Sequence, residues 1–384
     1  MSLRFLQAPC MAAVLLAACQ SEAPAQGGAS QESSTRPFTV AEVASFSSPW
    51  AMAFLTGSGR PLLDAALVTE KEGKLWIVDT RSGAKIAVAG VPAVHVAGQG
   101  GLGDVAVNPE FVVNHRVYLS YVEEGEGGNT GAVLGYGTLD LADRAHPALR
   151  EFKVIWRQQP KSDGNGHFSH RIAFGPDGFL YLTSGDRQKF DPAQDMGGNL
   201  GKVLRLTAEG APAPGNPWAG RGGVAAQFWT IGHRNLLGIA FAPDGRLWGS
   251  EMGPQGGDEV NLILPGRNYG WPRASNGSHY GGRDIPDHRP GDGFEPPKVW
   301  WNPSISPGGL LIYTGDQFPA WKGDALIPAL SGEALIRVDI DGDRASKADQ
   351  WDMGKRIRAV DQGPNGSVYL LEDEGRLLRL DPVK

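Results

Sequence analysis

Along most of the chain, apolar and polar residues alternate in short runs, and each run breaks at a glycine-containing turn before the next begins. One phrase recurs: an alternating apolar stretch, then Pro-Asp-Gly or a close variant, then a short segment with an aromatic residue. It is clearest in HRIAFGPDGFLYLTSGD (170–186), GIAFAPDGRLWGSEMG (238–253) and RAVDQGPNGSVYLLED (358–373). Looser copies are AMAFLTGSGRPLLDAALVTE (51–70), DVAVNPEFVVNHRVYLSYV (104–122) and GLLIYTGDQFPAWKGDALIPAL (309–330). A further strand often follows, as in GKLWIVD, GKVLRLT, ALIRVDI and GRLLRLD. A period of two split by a tight-turn dipeptide is the pattern of a β-hairpin with one face buried. No helical period competes. Self-similarity at roughly 40–70 residues points to a repeated supersecondary unit. Six such copies predict an all-β fold, a six-bladed β-propeller with four-stranded antiparallel blades.

The Gly/Pro-rich insertions at 187–200, 208–228 and 271–307 follow corresponding strand ends. They are expected to crowd one face of the disc, where a pocket forms. The 54 glycines and 28 prolines suit a chain of many turns and few long helices. The pattern begins near Phe38, so 38–384 is read as the propeller domain. Ahead of it, SEAPAQGGASQESSTRP is polar and low in complexity and reads as a flexible tether over 19–37. Residues 1–18, with Arg4 and a short apolar run, read as a signal peptide too short to span a bilayer. Leu16-Ala17-Ala18-Cys19 resembles a bacterial lipobox, which makes Cys19 the lipid-bearing residue; the alternative is an ordinary signal cleaved near Ala25 or Ala29. With Cys10 removed and Cys19 acylated, disulfides, cysteine–zinc sites and cysteine nucleophiles are excluded together. The net charge of −6 and the lack of a basic tract exclude nucleic acid as a partner, and membrane contact is expected only through the N-terminal lipid.

Several polar clusters exceed what a propeller needs. His167 precedes one inner strand and Asp186 follows the next, nineteen residues on. If the hairpin between them returns the chain, the carboxylate reaches the imidazole, the arrangement of a general base or of a structural loop pair. Alternation puts His170 on a different face from Arg171, so His170 is read as a packing or pocket-rim residue and Arg171 as strand-end pairing. In His233-Arg234-Asn235, Arg234 suits either a developing oxyanion or a tie between blades. Arg356 and Arg358 share a strand face, where like charges repel unless an anion lies between them; an acidic ligand would explain the pair, and so would an ordinary solvated surface. GPQGGDEVNLILPGRNYGW (253–271) offers carboxylates and turn carbonyls of the kind calcium takes, without EF-hand spacing. Gln99, in GQGGLGD, allows close backbone approach to a ligand or marks only a tight turn. Trp300 and Trp301 suit a sugar face or packing between blades. Among the motifs not found are H-E-x-x-H, G-x-S-x-G, and a G-x-G-x-x-G that follows a strand and opens a helix. Zinc hydrolase, α/β-hydrolase and nicotinamide dehydrogenase chemistry thus lack sequence support.

Taken in order, GQGGLGDVAV, GHFSHRIAFGPDGFLYLTSGDR, LGKVLRL, GHRN, EMGPQGGDEVNLI, NYGWP, PSISPGGL and RIRA resemble the soluble quinoprotein glucose dehydrogenase and aldose sugar dehydrogenase family, and the aldose sugar dehydrogenase branch best. The resemblance implies pyrroloquinoline quinone (PQQ) and calcium (Ca2+) in a central funnel, and oxidation of an aldose sugar to its lactone. It implies His167 as the base, Asp186 as its orienting partner and Arg234 as a stabiliser of negative charge. By the same resemblance Gln99, Arg234, Asn235, Tyr280, Ala329, Leu330, Ser331, Arg356 and Arg358 contact the cofactor. The carbonyls of Gly253 and Pro254 match ligands of its calcium, and Glu259 and the Tyr269 carbonyl match a second calcium site. An electron acceptor, quinone or cytochrome, and an exported, periplasmic or outer-membrane-anchored bacterial location are implied too. Ser169 and His170 stand where the family has glycines, which narrows the space beside the base. Ser331 stands where relatives often carry lysine, which removes a cation. A calcium-dependent propeller lactonase and a non-enzymatic binding propeller are the alternatives.

Overall fold

The computed structural model describes residues 35–57 and 60–383. The expected signal peptide and most of the tether lie outside the described residues. The chain forms the expected six four-stranded antiparallel sheets, each starting with a copy of the repeated phrase. The first blade runs Pro49–Gly57, Arg60–Glu70, Lys74–Asp79, Lys85–Val88, and the second Leu102–Val107, Arg116–Glu124, Thr130–Asp140, Ala148–Arg157. The third is Ser169–Phe174, Leu180–Ser184, Lys202–Leu206, Phe228–Ile231; the fourth is Leu236–Phe241, Leu247–Glu251, Asp258–Leu262, Val299–Trp301. The fifth is Leu311–Ile312, Ala325–Ala329, Ala334–Asp341, Arg344–Asp352. The sixth takes Ile357–Gln362, Val368–Glu372 and Arg376–Pro382, and is completed by Phe38–Ser45 from the other end of the chain. The first strand of each blade packs on that of the next, and the sixth returns to the first, so these strands ring an axis.

The core lies between blades. In RVYLSYV, Val117, Leu119 and Tyr121 pack in one apolar cluster while Tyr118 and Val122 pack in another on the opposite face. A strand covered on both faces reads as a nearly continuous apolar run, as this one does. Trp301 is buried in the cluster between the fourth and fifth blades, with Lys347 over its ring at 5.2 Å. Of the two readings for the tryptophan pair, packing holds for Trp301. Among the described residues no helix is long and apolar enough to cross a membrane.

Two expectations are corrected. Alternation fails at the start of the third blade, where Ser169 and His170 have φ of 57° and 53° and the pairing register shifts between Ser169 and Ile172. His170 and Arg171 therefore contact one side chain: the His170 ring stacks on Trp50 at 5.0 Å, and the Arg171 guanidinium lies 4.0 Å from the same ring centre. Arg171 is not a strand-end partner. It is buried at the axis and donates to Asp104 Oδ1 (2.9 Å), the Leu237 carbonyl (2.7 Å) and the Gly308 carbonyl (2.6 Å), which with the Trp50 ring ties the third blade to four others. His170 fills the space above Gly103, where a Cβ would come within 1.9 Å of its ring.

The second correction concerns segment 208–228. It joins the third and fourth strands of its blade, so antiparallel parity puts it at the same end as the Pro-Asp-Gly turn. Arg205 holds it there, paired with Asp177 of that turn and donating to the Pro214 carbonyl. Segment 187–200, between a second and a third strand, lies at the other end with the candidate site. Segment 271–298 also joins a third and a fourth strand, but there the chain first runs back beside Ile231, bridged to Asn268, so that Trp271 reaches Asp186 at the site.

Candidate active site

Three adjoining chambers open at that end. The inner one, about 310 Å³, is lined from all six blades and includes Trp50, Lys71, Gln99, Asn235, Leu330, Arg356 and Arg358. The outer one, about 390 Å³, is lined by His167, Asp186, Phe190, Arg234, Trp271 and Tyr280 among others. A third chamber has room for about one water-sized atom and lies between Arg234, Glu251, Gly253, Pro254, Glu259 and Tyr269. Of the residues the sequence singled out, Ala329 lines none: it is fully buried inside its blade. Tyr280 sits apart from the inner chamber, exposed at the outer one with its ring 5.9 Å from the Arg234 guanidinium.

The hairpin return brings His167 Nδ1 to 2.7 Å from Asp186 Oδ1. A carboxylate accepts, so the proton sits on Nδ1 and the Nε2 lone pair is left for the chamber. Asp186 is wholly buried and further fixed: Gln188 N–H donates to Oδ1 at 2.8 Å and the Trp271 indole N–H to Oδ2 at 2.8 Å. The loop that wraps it is strained, with φ of 56°, 60° and 63° at Arg187, Gln188 and Phe190. Arg187 anchors that loop, buried over Phe168 at 3.8 Å and donating to carbonyls of Thr130, Gly164 and Gly166. On the other side, Gln99 Oε1 accepts from the His167 backbone N–H at 2.7 Å, so a residue of the inner chamber holds the backbone of the outer one. Burial keeps the His167 imidazole below its usual value; Asp186 pulls it up and Arg234 pushes it further down.

Arg234 stands at the junction. Its Nη1 donates to the carbonyls of Met252 (3.0 Å) and Gly253 (2.6 Å), it lies 5.2 Å from the Trp271 ring centre, and its buried Nε has no hydrogen-bond partner. The turn that carries it is gripped by Glu251, which accepts from the backbone N–H groups of Arg234 and Asn235 and from buried His233 at 2.9 Å. Glu251 faces Glu259 directly across neighbouring strands, a costly pairing of like charges. Glu259 receives only the Asn261 amide (3.0 Å) and makes no ion pair among the described residues. Burial and the charge of Glu251 push its carboxyl up to about 8.

In the inner chamber the anion between the two arginines is internal. Asp373 accepts from Arg356 Nε at 3.0 Å and from Arg358 at 2.7 Å. Asn235 Oδ1 accepts from Ser169 at 3.1 Å. Ser331 lies at the rim, its hydroxyl 2.8 Å from that of Ser306. Sequence reasoning missed Asp373, Trp271, Glu251 and Lys71. The first was within reach, since Asp373 follows Arg358 across a hairpin just as Asp186 follows His167.

A propeller with a basic axial chamber beside a carboxylate-oriented histidine matches a known class of protein. The profile described as glucose/sorbosone dehydrogenase matches residues 46–379, and the chain belongs to that family. It is 37% identical over 344 residues to aldose sugar dehydrogenase YliI of Escherichia coli (strain K12), covering 87% of this chain and 90% of that protein. The apo-form soluble aldose sugar dehydrogenase from Escherichia coli shares the fold with a TM-score of 0.84 at 36% identity, over 90% of this chain and 100% of that one. The PQQ-bound aldose sugar dehydrogenase from Streptomyces coelicolor gives 0.72 at 28% identity, over 90% and 98%.

Proposed function

We propose that the chain is a PQQ- and calcium-dependent dehydrogenase that oxidises the anomeric hydroxyl of aldose sugars to the lactone. The observation that carries this reading is the His167–Asp186 contact of 2.7 Å at a chamber bordering a cationic one. PQQ supplies a two-electron acceptor for the anomeric hydride, and calcium supplies positive charge where negative charge collects. His167 Nε2 takes the hydroxyl proton, and Asp186 holds the ring in the tautomer that can. Arg234, with its unpartnered Nε, stabilises negative charge at the junction. Arg356, Arg358, Gln99 and Asn235 hold the acidic, planar cofactor. Two net charges fit a polycarboxylate here: Lys71, Arg356 and Arg358 line the chamber against Asp373 alone.

Calcium would find hard oxygen donors in the third chamber, where the Glu259 carboxyl, without an ion-pair partner and facing Glu251, favours a cation and Tyr269 lines the same space. At Gly253 the carbonyl already accepts from Arg234, so a cation held by Gly253 and Pro254 competes with that guanidinium. Export, lipidation at Cys19 and the electron acceptor are part of the proposal and rest on the family and on residues 1–34. Reconstitution tests the reading: apoprotein given PQQ and calcium is expected to reduce a dye with aldoses, and calcium chelation to abolish it. No dye reduction, or lactone hydrolysis without cofactor, overturns it.

The pH dependence follows from the burial of His167. The neutral imidazole is the active form, so kcat/KM rises with pH and levels off, inflecting below the ordinary 6.5. Asp186 raises that pKa, so Asp186→Asn is expected to move the inflection lower still while reducing the plateau. An inflection above 6.5 in the parent chain would count against His167 as the base.

A further inference from the structure

The inner chamber holds a third cation, counted above only toward its net charge. Lys71 directly follows the second strand of the first blade and lines the chamber with Trp50, together with Arg356 and Arg358 of the neighbouring sixth blade. Its backbone is fixed: the N–H donates to Ser48 at 3.0 Å and the carbonyl accepts from Leu102 at 2.9 Å. Gly101 lies so close that a Cβ there would come within 2.4 Å of the Lys71 carbonyl. The ammonium has much less to hold it. It donates to the Gly98 carbonyl at 2.8 Å and forms no ion pair among the described residues. The neighbouring Glu70 carboxylate accepts from the Ser47 N–H and faces Lys74 at 3.8 Å. An ammonium has three donors, so two stay available to a ligand.

The fifth blade contributes no cation to this chamber. Its edge there is Ser306 and Leu330, and the Ser331 hydroxyl is spent on Ser306 and on the Ser304 carbonyl at 3.2 Å. His170 does not supply a charge either, since burial and Arg171 push its imidazole down to about 3.

We propose that Lys71 is a third cationic contact for the polycarboxylate ligand of the inner chamber, supplying from the first blade the positive charge that Ser331 does not supply from the fifth. The inference rests on the chamber being the seat of PQQ. The test is direct titration of the full-length apoprotein with PQQ, followed by quenching of tryptophan fluorescence, at low and high salt. Lys71→Gln is expected to weaken binding about tenfold at low salt, the worth of roughly one charge-assisted contact. The loss shrinks at high salt, because the contact is half-exposed and screened. Lys71→Arg is expected to keep affinity within about twofold, and Ser331→Lys in the Lys71→Gln background to restore part of it. Thermal midpoints check that the variants fold. If the parent chain binds PQQ and Lys71→Gln binds equally well, the inference is wrong and the proposed function stands. If the parent chain itself binds no PQQ, both are wrong.

Discussion

His167→Gln is expected to lower turnover with an aldose about a thousandfold while leaving PQQ binding within about twofold, since a positioned base contributes roughly 10²–10⁴. Glutamine keeps a donor for Asp186 but has no lone pair basic enough to take a hydroxyl proton. The loss should appear in kcat rather than KM, because the imidazole acts on the reacting hydrogen and adds little to ground-state binding. A variant with more than a tenth of parental kcat would remove His167 from the chemistry and return the dyad to a structural role. Trp271→Phe should follow at smaller scale, since the indole N–H grips Asp186 rather than the substrate, whereas Gln188 grips it through a backbone N–H that a side-chain substitution keeps.

Arg171→Met should be the most destabilising substitution on the axis. It leaves Asp104 buried without its guanidinium and frees the carbonyls of Leu237 and Gly308. Burial already pushes Asp104 upward, and Arg171 is the principal charge opposing that shift. Breaking a buried pair from one side costs about 3–5 kcal/mol. At roughly 2 °C per kcal/mol for a chain of this size, that lowers Tm by roughly 6–10 °C. Adding Asp104→Leu should recover part of the loss, because the orphaned carboxyl and not the missing cation carries most of it. An unchanged Tm in Arg171→Met would mean that the axis does not depend on this tie.

The hydrophobic pattern carried most of the architecture because a propeller repeats one unit: turn chemistry and period-two alternation state the same hairpin six times. It carried less where the chain leaves that period. Positive φ at Ser169 and His170 has no marker in residues other than glycine, so the Arg171 side chain was assigned away from the axis it occupies. A strand count alone would not have placed 208–228, because 271–298 makes the same third-to-fourth connection and reaches the site; the Arg205–Asp177 pair is what holds 208–228 at the far end. The pairing of His167 with Asp186 was legible because one hairpin spans them. Trp271 was not, since it reaches Asp186 from another blade across eighty-five positions of sequence, a distance no local pattern spans. Arg356 and Arg358 were legible as a pair; their shared partner Asp373 means that an incoming anion meets a cluster whose charge is already partly neutralised.

The strand Phe38–Ser45 closes the sixth blade against Arg376–Pro382, pairing Phe38 with Pro382. The stretch synthesised early is thus the last to find its neighbour, and the ring stays open until the far end of the polypeptide has emerged. Loop-closure entropy for so distant a pairing makes this a late and slow event. Assembly of the disc is therefore a task for the finished chain: a polypeptide lacking its last dozen residues has no seat for Phe38 and no complete sixth sector beneath Arg356 and Arg358.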